Sequence, residues 1–577
     1  MIDATTIALM KKMISKYGGG NGSSADISGA IKQYLKDNPI TAESIGAETT
    51  ENAKTEHDAL NKVIEKLDAD KCDKSVLYDA LHNTPHAKTV GDFFDLRRTG
   101  KIYRTRFYTF AKNPTCEGTK LLDNAGLQYE PSTDTVEGKD DYLNGEHPLF
   151  EWYNCNYKRN ADGTAYPTAI EGEDGYTTTG NVDVGVIQPS FYYNFETNTE
   201  EGYIDVTISD MPHTLRTDIV LYPWSECVKA DGTVLPWCIG SKYISSIGDD
   251  GLLRSLPDRQ PEGNTSYETM ITGYQKKGTG YWGAGAERNT FQIIFILIKG
   301  ATKNSQNLFM GCTDYNVMVS VSIKTTGESV YVTTSEDVSG LVVGTPVYVF
   351  HDGSDGEDVV DIATTKVIKI ETIDSNNTAI YLDVKNKDFI STVELVPDES
   401  KTLANMLWYS GTTDNVIGKH DGSMISNTNG KYPYRVQGRE YSVGGHMIAS
   451  DTVMVFKSDY SKDVYVAPKG VKHTTTEADI KKNYTLVGNV PASSNEKKSN
   501  YWVGDIDIKN GVWYPCSQGS GDSQGFADMV YTGETSTSGT REYAQNGSID
   551  VGSSAGFAFL RCWHLLDATD WDFCAAD

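Results

Sequence analysis

The chain has 577 residues, only 38% of them hydrophobic, with 54 Gly, 34 Tyr and a formal charge of −27. That length predicts several domains, and a Tyr- and Gly-rich chain without collagen, rod or mucin periodicity predicts β-structure with long loops. So negative a surface repels phosphate backbones and anionic lipid heads, which argues against nucleic-acid binding.

In chain order, residues 3–17 read as a helix capped by Asp3, with Ile7, Met10, Ile14 and Tyr17 on one stripe and Gly18, Gly19 and Gly20 stopping it. A Gly/Ser linker (18–24) and a second helical patch (25–35) follow. Residues 51–67 carry Ala53, His57, Leu60, Ile64 and Leu67 at helical spacing. So narrow a stripe predicts a self-associating bundle. Residues 1–75 are therefore read as a helical attachment and oligomerisation region, and 76–100 as a connector. Its start has no signal-peptide form, which predicts synthesis in a cytoplasm.

From about residue 101 the texture alternates, predicting strands at 103–110, 182–187, 190–195 and 203–209. Residues 265–275 and 283–298 read as two helices joined by a Gly-rich turn, the second apolar nearly all round and hence buried. Its run 291–298 is far short of the roughly 20 residues a membrane span needs, so no membrane insertion is expected. Four evenly spaced strand candidates at 329–333, 346–350, 367–371 and 379–383 mark 322–396 as an inserted small β-domain. It divides a body made of 101–321 and 397–577.

Chemical motifs are weak. Gly278-Thr-Gly-Tyr-Trp-Gly283 matches G-x-G-x-x-G but follows a helix rather than a strand, so it reads as a turn. Gly552-Ser-Ser-Ala-Gly556 matches a nucleophile elbow with too little chain after it for that fold. Asp570 and Asp572 sit two apart on one stretch, unlike an acid pair drawn from opposite cleft walls. Asp352, Asp355, Glu357 and Asp358 form an acidic loop without EF-hand spacing. Nine scattered Cys and ten His carry no ligand spacing. No catalytic residue, metal or cofactor is expected.

The last thirty residues are rich in aromatics up to Asp577, which predicts a segment paired into a sheet. Together with Ile187-Gln-Pro-Ser-Phe-Tyr-Tyr193, Trp237-Cys-Ile-Gly-Ser-Lys-Tyr243, Gly280-Tyr-Trp-Gly-Ala-Gly-Ala-Glu287, Asn304-Ser-Gln-Asn-Leu-Phe-Met-Gly-Cys312 and Gly438-Arg-Glu-Tyr-Ser-Val-Gly-Gly445, this pattern resembles the C-type-lectin-like domain of bacteriophage tail fibre and receptor-binding proteins, many of them diversified by retroelements. The resemblance spans roughly residues 100–577. It implies an α+β fold, with two helices and a short-stranded, loop-rich antiparallel sheet, the β-domain inserted and the helical region in front. It implies a non-enzymatic homotrimer on the virion tail tip, made in the host cytoplasm. Such a protein binds a bacterial surface glycan or protein and attaches to other tail proteins through its N-terminal region. Alternatives are a structural baseplate protein with a degenerate lectin domain, a formylglycine-generating-type oxidase using Cys562 and Cys574, and a capsule-degrading enzyme.

On this resemblance Ser548, Asp550, Phe557, Phe559, Arg561, His564, Asp567, Asp570, Asp572 and Phe573 are the variable, ligand-facing set, and Ala555, Gly556, Trp563 and Trp571 the scaffold. Retroelement mutagenesis of asparagine codons cannot yield Lys, Glu, Gln or Met, and residues 548–577 contain none of the four.

Overall fold

Residues 102–108 alternate: Tyr103, Thr105 and Phe107 are buried, while Arg104 and Arg106 are half-exposed and Tyr108 exposed. In a computed structural model of the chain they form a strand, Ile102–Tyr108, paired antiparallel along its length with Tyr203–Ser209, from Ile102↔Ser209 to Tyr108↔Tyr203. Arg106 faces Asp205 directly across this pair and binds it at 2.7 Å. The structure describes residues 89–326, 329–352, 358–384, 401–495, 499–532, 537–570, 573, 574, 576 and 577. The helices expected at 3–17, 25–35 and 51–67, the linker at 18–24 and the oligomerisation stripe lie outside the described residues.

Two units are distinguished. In the smaller (described residues 89–98 with 169–176), helix α1, Val90–Asp95, is capped by Thr89, whose hydroxyl accepts from the Asp92 amide at 3.1 Å. The larger unit comprises 99–168 and 177–577. Its first sheet has five antiparallel strands in the order Thr119–Leu122, Ile102–Tyr108, Tyr203–Ser209, Tyr192–Asn198, Tyr222–Pro223. Its largest sheet has nine strands. Eight run in the order Thr485–Val490, Lys462–Val466, His446–Phe456, Thr540–Gln545, Leu560–Arg561, Met529–Tyr531, Tyr501–Lys509, Val512–Gln518, and Phe573–Cys574 pairs in parallel with His446–Phe456. The eight-strand path nearly closes: the Tyr514 ring of one outer strand fills the space a Cβ on Gly488 of the other would need.

Helix α2, Tyr267–Gln275, packs against His446–Phe456 with Tyr267, Met270, Ile271 and Tyr274 buried. Helix α3, Glu287–Gly300, is enclosed by both large sheets, and every residue from Arg288 to Lys299 is buried. Burial of each of its aliphatic and aromatic side chains contributes about 1.5–3 kcal/mol. Its polar residues enter the core only with partners. Arg288 donates to the Ser241 and Glu440 carbonyls, Asn289 to the Phe557 carbonyl, and Lys299 binds Asp140 and Asp421 at 2.9 and 2.7 Å. Between α2 and α3 the chain turns at Gly278, Gly280 and Gly283, all at positive φ, so the G-x-G-x-x-G match is an inter-helix turn.

A closed six-stranded antiparallel barrel runs Met318–Thr326, Ser329–Thr334, Thr378–Leu382, Asp358–Thr372, Pro346–Asp352, Lys401–Asn405 and back to the first strand. Its core is its own, built from inward residues such as Val332, Val347, Val349, Ile362, Ile380 and Leu403. First and last strands pair, Met318↔Ala404 to Val321↔Lys401, so the barrel reaches a few residues beyond 322–396 on either side. Asp352 and Asp358 are the last pair of a hairpin; Asp355 and Glu357 lie outside the described residues.

This architecture corrects the expected α+β lectin-like fold. Among the described residues there are four helices, α1–α3 and α4 (Glu477–Asn483), against a barrel and several sheets, so the chain is predominantly β. The two helices were read as the scaffold of a small sheet. Instead α3 is core filling between two large sheets. Several of their strands, Thr485–Val490 and Thr540–Gln545 among them, lack the apolar alternation that marks a strand in sequence. Among the described residues no helix is long and apolar enough to cross a membrane.

Candidate functional site

The segment expected to carry recognition enters the nine-stranded sheet at Leu560–Arg561. This short strand lies parallel to Met529–Tyr531 (Val530↔Leu560) and antiparallel to Thr540–Gln545 (Ala544↔Arg561). The Cys562 amide donates to the Tyr531 carbonyl at 3.0 Å, and burial pushes the Cys562 thiol above its usual range. Beyond Cys562 the chain arches over α2. Leu566 is the anchor: its side chain is buried with Tyr267, Met270 and Tyr274, and its carbonyl accepts from the Glu268 amide at 3.1 Å. A second tie joins the Glu542 amide to the His564 carbonyl at 3.1 Å.

What the arch leaves outside is aromatic and charged. Trp563 is 40% exposed and Leu565 51%. The Arg561 guanidinium lies 5.0 Å from the Trp563 ring centroid, a cation–π distance, and its Nη2 is 3.4 Å from Asp570. The His564 ring stands perpendicular to Trp563 at 4.6 Å. Burial, then the Arg561 charge, lowers His564 to about 4, so its imidazole is neutral near pH 7. Asp567 is exposed. Asp550, also exposed, accepts from Ser548 Oγ at 2.6 Å. Beneath this surface His446 is buried and stacked on Phe559 at 5.3 Å; burial, then Arg561, pushes it down to about 3 despite Asp550 and Asp570.

A second feature escaped the sequence. A cavity of about 310 Å³ lies at the N-terminus of α3, lined among others by Trp282, Glu287, Asp451, Lys469 and His473. Asp451 Oδ1 accepts from the Ala286 amide at 2.9 Å, which fixes it beside Glu287. Burial, then the Asp451 charge and a hydrogen bond with it, raises the Glu287 carboxyl well above its usual range. Gly285 makes the pair possible, because a Cβ there would collide with both carboxylates.

No protein-family model matches the chain, and no curated protein matches it. The placement of each site residue therefore rests on geometry. The structure brings Arg561, His564, Asp567 and Asp570 together on one arch around Trp563, with Asp550 and Asp570 both acting on His446. Three members of the ligand-facing set are corrected. Ser548, Phe557 and Phe559 are buried; Phe557 sits in the main core 5.8 Å from Phe526, and Phe559 contacts Tyr531 at 5.0 Å. They were assigned by strand parity, yet residues 555–560 are buried on all sides and include a turn closed by the Phe559 amide on the Gly556 carbonyl, so parity does not apply. Trp563, read as scaffold, is on the surface. Ala555 and Gly556 are buried, and a Cβ on Gly556 would strike Asp528 and Ser305. Asp572, Trp571 and the Phe573 side chain lie outside the described residues.

Proposed function

We propose that the chain is a host-recognition protein of a phage tail tip. It binds a bacterial surface glycan or protein noncovalently through the arch at 561–570. The support is one arrangement: Trp563, Leu565 and Asp567 are displayed on a loop whose neighbours, Leu560, Cys562 and Leu566, are locked into the core. Such a display lets exposed side chains change without unfolding their support. An exposed Trp beside Arg and His is the composition of binding hot spots. This reading uses an arch on a large β-sheet and no lectin-like face. A buried Cys562 with a raised thiol pKa favours it over cysteine-based oxidation.

The test is adsorption of the full chain to a panel of bacterial cells. Trp563→Ala, Arg561→Ala and Asp567→Ala should each weaken binding to a host strain about tenfold or more, with melting temperature within a few degrees of wild type. Unchanged adsorption in all three variants would move recognition away from this arch.

A further inference from the structure

Three residues that wall the cavity beside α3 each carry a buried polar atom unsatisfied among the described residues. Nδ1 of His473, Nε1 of Trp282 and Oγ of Ser225 are buried without a hydrogen-bond partner among the described residues, and all three residues line the cavity. His473 is 7% exposed, its ring 4.9 Å from the Trp282 ring. Burial holds it down to about 4, so near pH 7 it is a neutral imidazole. Native proteins rarely leave such groups unpaired, so three in the wall of one cavity set that wall apart from ordinary packing.

The walls define that occupant's chemistry. Asp451, Glu287 and Asp162 are opposed by Lys469 and Arg159, so no single charge dominates. Burial lowers Lys469, and burial beside the Asp451 charge raises Glu287, which reduces the charge on both walls. The partner these groups fit is neutral, with many donors and acceptors and an apolar face for the half-buried Trp282 indole. A nucleotide is disfavoured by the charge of −27. Among the described residues no His/Cys/Asp/Glu group suits a metal ion. The cavity volume, about 310 Å³, lies at the small end of ligand sites. It shares Ser225, Pro468, Lys469 and Asn510 with an adjoining groove of about 760 Å³, which carries the exposed Tyr222 and Leu486.

We propose that this cavity is a saccharide subsite that takes one neutral hexose-sized ring, stacked on Trp282 and hydrogen-bonded by Asp451, while the groove carries the adjoining residues of the same glycan. A sugar hydroxyl can donate to the Asp451 carboxylate in place of water at little enthalpic loss. The site is separate from the arch at 561–570 and stands whether or not that arch binds cells.

Saturation-transfer NMR on the full chain tests this with the methyl glycosides of glucose, galactose, mannose and N-acetylglucosamine. At least one should receive saturation from the wild-type protein. Asp451→Asn should weaken that binding about tenfold or more, and Trp282→Ala should abolish it. Trp282→Leu also removes the ring; should the alanine variant fail to fold, it serves in its place and should weaken binding about tenfold or more. Asp567→Ala should leave the signal unchanged. Transfer to none of the four glycosides, or transfer that persists in folded Trp282 and Asp451 variants, overturns the proposal and leaves a cavity filled by water only.

Discussion

Lys277, two residues beyond α2, pairs inside the protein with Asp577, 300 positions away, and with Asp183 at 2.8 Å, all three side chains almost wholly buried. Arg159 adds a contact to Asp577 at 3.3 Å and Arg254 one to Asp183 at 3.1 Å. The cluster ties the last residues of the sequence to the helix under the arch. Removing the central cation leaves two buried carboxylates under-compensated. Lys277→Ala should therefore destabilise the protein by about 3–5 kcal/mol in chemical denaturation. A loss under about 1 kcal/mol would show that Arg159 and Arg254 suffice.

Stability should fall as pH rises from about 6.5 to about 8.5, above the window in which the lowered His446, His473 and His564 oppose the trend. Burial raises Asp528 and Glu542 to about 8 and Glu440 to about 7. Each binds its proton more tightly folded than unfolded, so the stabilisation is full below the unfolded carboxyl pKa and is lost through the folded one. Asp577 and Glu226 are lowered by their cationic partners despite burial, and their stabilisation disappears only at more acid pH. Calorimetric scans should give a melting temperature at least about 2 °C higher at pH 6.5 than at pH 8.5. Asp528→Asn should flatten that decline, and an equal slope in this variant would remove Asp528 from the cause.

Side chains on either side of the Leu560–Arg561 strand should divide sharply. Phe559→Ala deletes a buried ring stacked on His446 and should cost about 3–5 kcal/mol. Trp563→Ala, on a half-exposed ring, should cost under about 1 kcal/mol. Comparable destabilisation by both would place Trp563 in the packing.

The barrel should behave as a cassette. Its core is separate, and its first and last strands are hydrogen-bonded neighbours, so their outer ends lie close together. Replacing 318–405 with a short Gly/Ser linker should leave one cooperative melting transition for the remainder. A broad, non-cooperative transition would mean that the barrel supports the main core.

Local pattern was legible where one face of a strand is buried. Four of the six barrel strands, Ile102–Tyr108 and Tyr203–Ser209 overlap the segments that period-two alternation marked, although Asp358–Thr372 starts nine residues before its expected start at 367. The apolar run at 291–298 announced a buried helix, although α3 begins at Glu287 rather than Gly283, because the three positive-φ glycines hold the turn open. What alternation could not reveal is which strands meet. The pairings Ile448↔Ala544 and Val530↔Leu560 join distant, polar-flanked segments, and without them the chain reads as helices with a small sheet. The cavity was hidden for the same reason: Trp282, Asp451 and His473 converge only through that sheet, and no spacing marks them. On the arch Asp567 is exposed while Arg561, His564 and Asp570 are half-buried, and Phe557 and Phe559 lie in a turn that breaks the parity used to assign them.

Enclosure of α3 sets an order of events during synthesis. Its early-made neighbours are Ile102–Tyr108 and Tyr203–Ser209, but its opposite face is covered by Tyr434–Val436 and Val512–Gln518, with the Trp513 amide bonded to Thr290 Oγ1 at 3.3 Å. More than 200 residues separate α3 from Val512, and more than 130 separate it from Tyr434. At ribosomal rates of about 5–20 residues per second, the interval is on the order of ten seconds or longer. Throughout it the run at 291–298 has one bare apolar flank, and early sheet strands wait beside it. The nascent chain is thus most prone to aggregate, and most in need of a holding chaperone, between the emergence of α3 and that of Trp513.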